Sequence, residues 1–396
     1  MQPVNESSAQ PASIAREPVA APSSRLGTVR PHAVSIRAAQ WSMRIVEEHW
    51  EYALGAVSEI GGLVISVRDE EGNEGFGYAT AVPFDGETVE SLIGAVGLIG
   101  RSTAWRDLTL LEARDRWDRI VYSNQRAKAG LELAVIDLIG RRANVPAHEV
   151  LGYGPGRVRT HAVTRILALD TPDAMRRRAQ ELVDDEGARG IKIKAEGDVA
   201  VDGARVREIR TAVGADVALV VDANQSYTPK GAIQFGRILD ECSVAVFEQP
   251  VGRQDLDGLR QVREAVDCLV EADESAATIS DVLLLAQHQS VDAISVKLPK
   301  MGGLVRCLQI AQLCRQVGLG FRVGSVFGSR IYEAASAHLL ACVESNLPHE
   351  LAEPEHLLPD PFPSSFLEDG RLALPLGPGL GTAAPAIAHD GWDFSW

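Results

Sequence analysis

GIKIK at residues 190–194, VVDANQ at 220–225, VFEQP at 246–250, EADES at 271–275 and ISVKL at 294–298 share one design. Each is a short apolar run, rich in β-branched residues, that ends on or near a charged side chain. A stretch with helical periodicity separates each from the next. That rhythm predicts parallel strands joined by crossover helices, with chemistry at the strand ends. The charged residues in chain order are Lys192 and Lys194, Asp222, Glu248, Asp273 and Lys297.

Working outward, strands are expected at 159–165, 190–194, 217–222, 244–248, 268–272, 292–297 and 320–324, with an eighth near 349–352. Helices are expected between them, at 172–187, 202–213, 229–240, 278–288, 303–316 and 329–344. About 30 residues per strand-plus-helix unit, repeated in this way, suits a (β/α) barrel. The competing open, doubly wound sheet would carry a Gly-rich phosphate loop after its first strand, and none follows residue 165. Ahead of the barrel, Val29 to about Thr80 reads as a strand, a second strand and a hairpin, with Trp41–Ser58 as an aromatic-rich loop. Thr88–Ala143 is helical in period. Pro146, Gly152, Gly154, Pro155 and Gly156 then place a boundary near 155. The expected domains are a disordered tail over 1–27, an α+β domain over 28–155 and the barrel over 156–363. A Pro- and Gly-rich segment over 364–396 is expected to return to the first domain. The tail has no apolar stretch behind a basic start, so it does not read as a signal peptide.

Of 396 residues, 45% are hydrophobic and 23% charged, as in a water-soluble globular chain. The net charge of −15 argues against nucleic acid or an anionic membrane as partner, while a small anionic substrate stays compatible. No apolar run approaches the ~20 residues that span a bilayer. The five cysteines, at 242, 268, 307, 314 and 342, contain no CxxC pair. They are expected to be buried free thiols, as in a cytoplasmic protein.

Three carboxylates at the mouth of a barrel, from Asp222, Glu248 and Asp273, repel one another unless a cation joins them. All-oxygen ligation favours Mg²⁺, or Mn²⁺, over zinc. Lys192 and Lys194 lie two apart on one strand and so point to the same side. Crowding of like charges with partial desolvation is expected to lower a lysine pKa toward neutrality and make a general base of it. Lys297, on a strand almost opposite, is placed to act from the other face.

Taken in order, K-x-K, D-A-N-Q, E-Q-P, A-D-E-S and V-K-L-P-K-M-G-G resemble the enolase superfamily. The likeness is to its muconate-lactonizing-enzyme-like (muconate cycloisomerase) subgroup, within the mandelate racemase/muconate lactonizing enzyme family. The resemblance runs from about residue 30 to 382 and takes in AKAGLELAVIDLIGRRANVPAHEVLG and the closing GPGLG. It implies an α+β capping domain on a modified (β/α)7β TIM-type barrel, and Mg²⁺ held by Asp222, Glu248 and Asp273. It further implies Lys194 as acid/base with Lys192 lowering its pKa, Lys297 on the opposite face, and Asn224 and Glu274 as hydrogen-bonding neighbours. Mandelate-racemase-like relatives carry a His on the seventh strand, and GFRVGSVFGSRI has none. The implied chemistry is removal of a proton α to a carboxylate through a metal-stabilised enediolate.

A racemase or epimerase of an amino-acid derivative is the leading expectation. A muconate-type cycloisomerase and an acid dehydratase, as on hydroxyproline-type acids, stand as alternatives on the same site. A class I Schiff-base aldolase is the alternative of a different class, but it has no use for three metal-binding acids. The expected partner is a small carboxylate substrate, in a homo-oligomeric enzyme. Substrate contacts are expected from Trp41, Met43, Trp50, Tyr52, Phe84, Thr164, Arg165, Phe327, Arg330 and Glu350. Dipeptide epimerases of the subgroup carry Asp-x-Asp after the last strand to hold the substrate ammonium. Glu350-Leu351-Ala352 stands there instead, which turns the expectation toward N-acyl or cyclic amino acids, betaines and muconate-like diacids.

Overall fold

The N-terminal part contains β1 (Ala33–Ile45), a small hairpin of β2 (Glu51–Tyr52) and β3 (Gly55–Ala56), then β4 (Glu59–Asp69) and β5 (Glu74–Thr80). Helices α1 (Val89–Ser102), α2 (Leu110–Ile120), α3 (Gln125–Ala143) and the single turn α4 (Ala147–Val150) follow. These come from a computed structural model that describes residues 27–47, 50–53, 55–154, 161–385 and 391–394. The tail expected over 1–27 thus lies, but for Gly27, outside the described residues, as does the boundary expected at 155. β1, β4 and β5 form an antiparallel sheet. Contrary to the expected loop at Trp41–Ser58, β1 runs on to Ile45, because its pairing with β4 continues to Arg44↔Glu59 and Leu357–Leu358 pairs with its far end. Helix α3 lies close against β5, and glycine permits it. A Cβ on Gly77 would sit 2.0 Å from the Gly130 carbonyl oxygen.

The second part alternates strand and helix: β6 (His161–Leu167), α5 (Pro172–Asp184), β7 (Gly190–Lys194), α6 (Val199–Val213), β8 (Ala218–Asp222), α7 (Pro229–Glu241) and β9 (Val246–Glu248). It continues with α8 (Leu256–Arg263), β10 (Leu269–Ala272), α9 (Ile279–Gln287), β11 (Ala293–Val296), α10 (Leu298–Met301), α11 (Leu304–Val317), β12 (Gly320–Val323), α12 (Ile331–Cys342) and β13 (His349–Glu350). Strands β6 to β12 pair in parallel in chain order. β13 closes the curl by pairing with β6 at Glu350↔Thr164, while His349 Nδ1 accepts the Val323 N–H at 3.1 Å. The helices start where their caps say. Thr171, Asp198, Thr228, Asp255 and Thr278 each accept a first-turn N–H, and Pro172 and Pro229 occupy the first helical position. Helices α8 and α10 escape a periodicity search because they are eight and four residues long.

Several contacts dock the first part on the barrel. Tyr332 Oη donates to the Tyr78 carbonyl at 2.8 Å and accepts the Thr80 N–H at 3.1 Å, and Thr80 Oγ1 donates to the Phe327 carbonyl at 2.8 Å. Glu132 of α3 accepts the Val305 N–H at the start of α11 and pairs with the buried Arg114. After a short hairpin that adds Arg371–Leu372 to the edge of β6, the chain returns to the first part. There Leu380 N–H bonds Asp137 and Trp392–Asp393 pairs with β1. All five cysteines are buried and free. Among the described residues no helix is long and apolar enough to cross a membrane.

Candidate active site

The parallel register sets the acids side by side. Lys194 is opposite Asp222, and Asp222 is opposite Glu248. Glu248 faces Glu271 on the next strand, so Asp273 falls two residues further, just past the end of β10. The Lys192 ammonium is fully buried, 2.9 Å from Asp222 Oδ2, 2.9 Å from Glu248 Oε2 and 2.6 Å from Glu350 Oε2. Nearer the mouth, Lys194 Nζ donates to Asp222 Oδ2 at 2.8 Å and Asn224 Oδ1 at 3.2 Å, with the Tyr52 ring centroid 5.7 Å away. Across the mouth, Lys297 Nζ lies 2.8 Å from Asp273 Oδ2 and 3.8 Å from Glu248 Oε1, and Lys300 Nζ lies 2.5 Å from Asp273 Oδ1. Asn224 Nδ2 reaches Glu274 Oε1 at 3.3 Å. Lys194 ends the second strand of the barrel and Lys297 follows the sixth of eight, so the two stand on opposite walls.

Charge is balanced within this layer. Burial opposes ionisation of Asp222 and Asp273, but the lysines around them outweigh it and hold both below the usual carboxylate range. Glu248 goes the other way, because burial and the neighbouring Asp222 push it up to about 7. The pKa of Lys192 itself answers to the acids more than to the neighbouring lysine. Burial does pull it down, but Asp222, Glu248 and Glu350 together raise it well above the ordinary lysine value. Its near neighbours are acids on adjacent strands, which spacing along one strand does not show.

A second ionic layer lies beneath, whose pairing local sequence pattern does not reveal. Arg322 on β12 is fully buried and grips Glu271, with Nε 3.1 and 3.2 Å from its two oxygens and Nη2 2.6 Å from Oε1. The same Nη2 donates to Glu248 Oε2. The signal was present as a lone Arg in GFRV and a lone Glu in LVEA, each inside an apolar strand.

A cavity of about 830 Å³ opens over the strand ends, between the barrel and the loops of the first part. Lys194, Asn224, Asp273, Glu274 and Lys297 line it, and so do Trp50, Tyr52, Phe84 and Phe327. Trp50 and Phe327 meet edge to face at 5.4 Å. Six expected substrate contacts are not in its walls. Met43 is in the core, and Trp41 gives its Nε1–H to the Pro359 carbonyl. Thr164 bonds the His349 carbonyl inside the barrel, and Arg165 is paired with Glu186 and Glu355 beside a separate cavity. Arg330 donates to the Pro363 carbonyl, and Glu350 is held by Lys192. Glu353, three residues beyond Glu350, does line the cavity. It is 6% exposed, its Oε2 has no hydrogen-bond partner, and burial with Glu350 nearby raises its carboxyl to about 7.

The donor set fits a hard divalent cation. Asp222, Glu248 and Asp273 offer only oxygens, and buried Glu248 Oε1 has no hydrogen-bond partner. Among the described residues, no three His, Cys, Asp or Glu side chains close on one point. The ammonium of Lys192 stands between Asp222 and Glu248, and that of Lys297 between Glu248 and Asp273.

Comparison with known proteins adds an independent line. Residues 174–385 match the enolase C-terminal domain-like family, and residues 40–152 match the mandelate racemase/muconate lactonizing enzyme N-terminal domain. The hydrophobic dipeptide epimerase of Enterococcus faecalis is 31% identical over 316 residues, 79% of this chain and 87% of that protein. A chloromuconate cycloisomerase of Pseudomonas sp. is 32% identical over 305 residues, 74% of this chain and 80% of the relative. The crystal structure of a dipeptide epimerase from Enterococcus faecalis, complexed with Mg and the dipeptide L-Leu-L-Tyr, superposes with a TM-score of 0.82 at 30% identity. That match covers 89% of this chain and 99% of its own.

Proposed function

This chain belongs to the enolase superfamily, within its mandelate racemase/muconate lactonizing enzyme family, and is an isomerase; from that premise we propose that it inverts a carbon α to a carboxylate in an amino-acid derivative. One observation carries the proposal: Lys194 and Lys297 line one cavity from opposite walls of the barrel, each hydrogen-bonded to a different candidate cation ligand. Asp222, Glu248 and Asp273 would hold Mg²⁺, the ion with which the dipeptide epimerase relative is complexed. When bound, the cation takes up negative charge that builds on the substrate carboxylate as the α-proton leaves. The lysine that meets substrate as the neutral amine takes that proton from Cα on Nζ and becomes an ammonium, and the other, an ammonium, delivers a proton to the opposite face and becomes the amine. Lys192 does not line the cavity, so its part is to hold Asp222 and Glu248 in place.

Glu353 supports one substrate class. A buried carboxyl oxygen without a hydrogen-bond donor, as Glu353 Oε2 is, is costly, and an ammonium group on the substrate would supply one. The aromatic faces of Trp50, Tyr52 and Phe327 around the same cavity suit a cationic nitrogen with an apolar side chain. This favours a free-amine dipeptide or similar amino-acid derivative, as in the dipeptide epimerase relative, with Glu353 in place of the missing Asp-x-Asp. The cycloisomerase relative keeps lactone formation as the second reading.

The test is proton NMR in D₂O with Mg²⁺ over dipeptides, N-succinyl and N-acetyl amino acids, proline derivatives and cis,cis-muconate. Loss of an α-proton signal with the skeleton intact is expected for dipeptides, weakened by Glu353→Gln chiefly through KM. A lactone signal from muconate, with every amino-acid derivative inert, would refute the assignment.

A further inference from the structure

We infer that Arg322 is a positioning residue: anchored on Glu271, it grips one oxygen of Glu248 and leaves the other, Oε1, to face the divalent cation, an inference that rests on the proposed role of Glu248 as a cation ligand. The register makes the reach possible. Arg322 on β12 is opposite Ser295 on β11, whose small side chain leaves room inside the barrel. Across that gap the guanidinium meets Glu271 of β10 and Glu248 of β9, two acids that are themselves opposite each other. All three side chains are fully buried.

The two oxygens of Glu248 are treated unequally. Oε2 takes both the Arg322 donor and the Lys192 ammonium at 2.9 Å. Oε1 has no hydrogen-bond partner, and Lys297 Nζ lies 3.8 Å from it. Two donors from different strands hold Oε2, which restrains the carboxylate from turning and directs the free oxygen. Arginine suits the task better than lysine, because its planar fork contacts Glu271 through Nε and Nη2 while Nη2 also reaches Glu248. A buried ion pair is a poor device for stability alone, since apolar side chains of the same volume fold as well or better. Its use here is to aim a ligand. The third acid near Arg322, Glu350, lies 3.7 Å from Nη1 and ties this layer to Lys192.

The experiment measures Mn²⁺ binding to the purified full chain by electron paramagnetic resonance and calorimetry, with melting temperature followed in the absence of metal. Arg322→Met alone strands Glu271, so the decisive variant is Arg322→Met with Glu271→Met, which removes both charges together. We expect it to fold with a melting temperature near that of the parent and to bind Mn²⁺ roughly 10- to 100-fold more weakly, the usual loss when a group behind a metal ligand is removed. Arg322→Lys keeps the charge but loses the fork, and is expected to weaken binding severalfold. Parent-like Mn²⁺ affinity in whichever of these variants folds would overturn the inference. Glu248→Gln separates the two levels. If it too binds Mn²⁺ like the parent, the cation role of Glu248 falls and the inference falls with it; if it loses binding while the Arg322 variants do not, only the inference falls.

Discussion

Replacing Lys194 by Ala should silence one face of the reaction and leave the other. The substitution removes an ammonium that gives 2.8 and 3.2 Å bonds to Asp222 and Asn224. Asp222 keeps Lys192 at 2.9 Å, so no buried acid is stranded and the fold should hold. Lys297→Ala is the matching variant, and there Asp273 keeps Lys300 at 2.5 Å. A positioned general base contributes about 10²- to 10⁴-fold, or roughly 3–5 kcal/mol of barrier. The assay is α-proton wash-out in D₂O, run separately on each epimer of the accepted substrate. Lys194→Ala should lose exchange by that factor for one epimer while the other still exchanges without inverting, and Lys297→Ala should show the reverse preference. If both variants silence the same epimer, or neither silences any, two bases on opposite walls is the wrong picture.

Three further outcomes follow from the same geometry. Lys192→Met takes the ammonium from three fully buried acids, Asp222, Glu248 and Glu350, at a cost of about 3–5 kcal/mol; a melting temperature as high as that of Lys194→Ala would refute this. Gly77→Ala drives a methyl to 2.0 Å from the Gly130 carbonyl, backbone that cannot swing aside, so the first domain should lose about 1–3 kcal/mol or more in thermal melts. His338, fully buried against His148 with Nδ1 atoms 3.1 Å apart, is held down to about 3 by burial and by that neighbour. Below its ordinary 6.5 the unfolded chain takes a proton that the folded chain refuses, so the stabilising contribution is complete above pH 6.5 and falls toward pH 3. The slope is up to ~1.4 kcal/mol per pH unit. His338→Gln should flatten the melting profile between pH 6.5 and 4 by that share, and a profile parallel to the parent's would refute the assignment.

Strand ends were legible because their signal is local. VVD, VFE and ISVK each join a β-branched run to a charge within a few residues, and parallel pairing then brings Asp222, Glu248 and Lys297 to one mouth whatever the loops do. Arg322 and Glu271 were visible as odd charges in apolar strands, but their partnership spans 51 residues and exists only once the sheet curls. The raised Lys192 pKa is hidden from the sequence for the same reason: Lys194 is its neighbour along the chain, while the acids that dominate it are neighbours across strands.

The walls of the cavity were decided by tertiary structure. Trp41 and Trp50 are alike in sequence, yet β1 runs on past the first and pins it to Pro359, while the second turns inward against Phe327. Glu350 and Glu353 are three residues apart, yet closure of β13 against β6 and Lys192 locks one inside the barrel and leaves the other at the opening. The amino-acid sequence by itself determined the order of strands and the charged residue types at their ends, because side-chain alternation and apolar runs are properties of a few consecutive residues. Which side chains meet substrate depends on how the first domain docks and how the barrel closes, and those are set by contacts such as Tyr332 to Tyr78 and Glu132 to Val305, more than 170 residues apart in the chain.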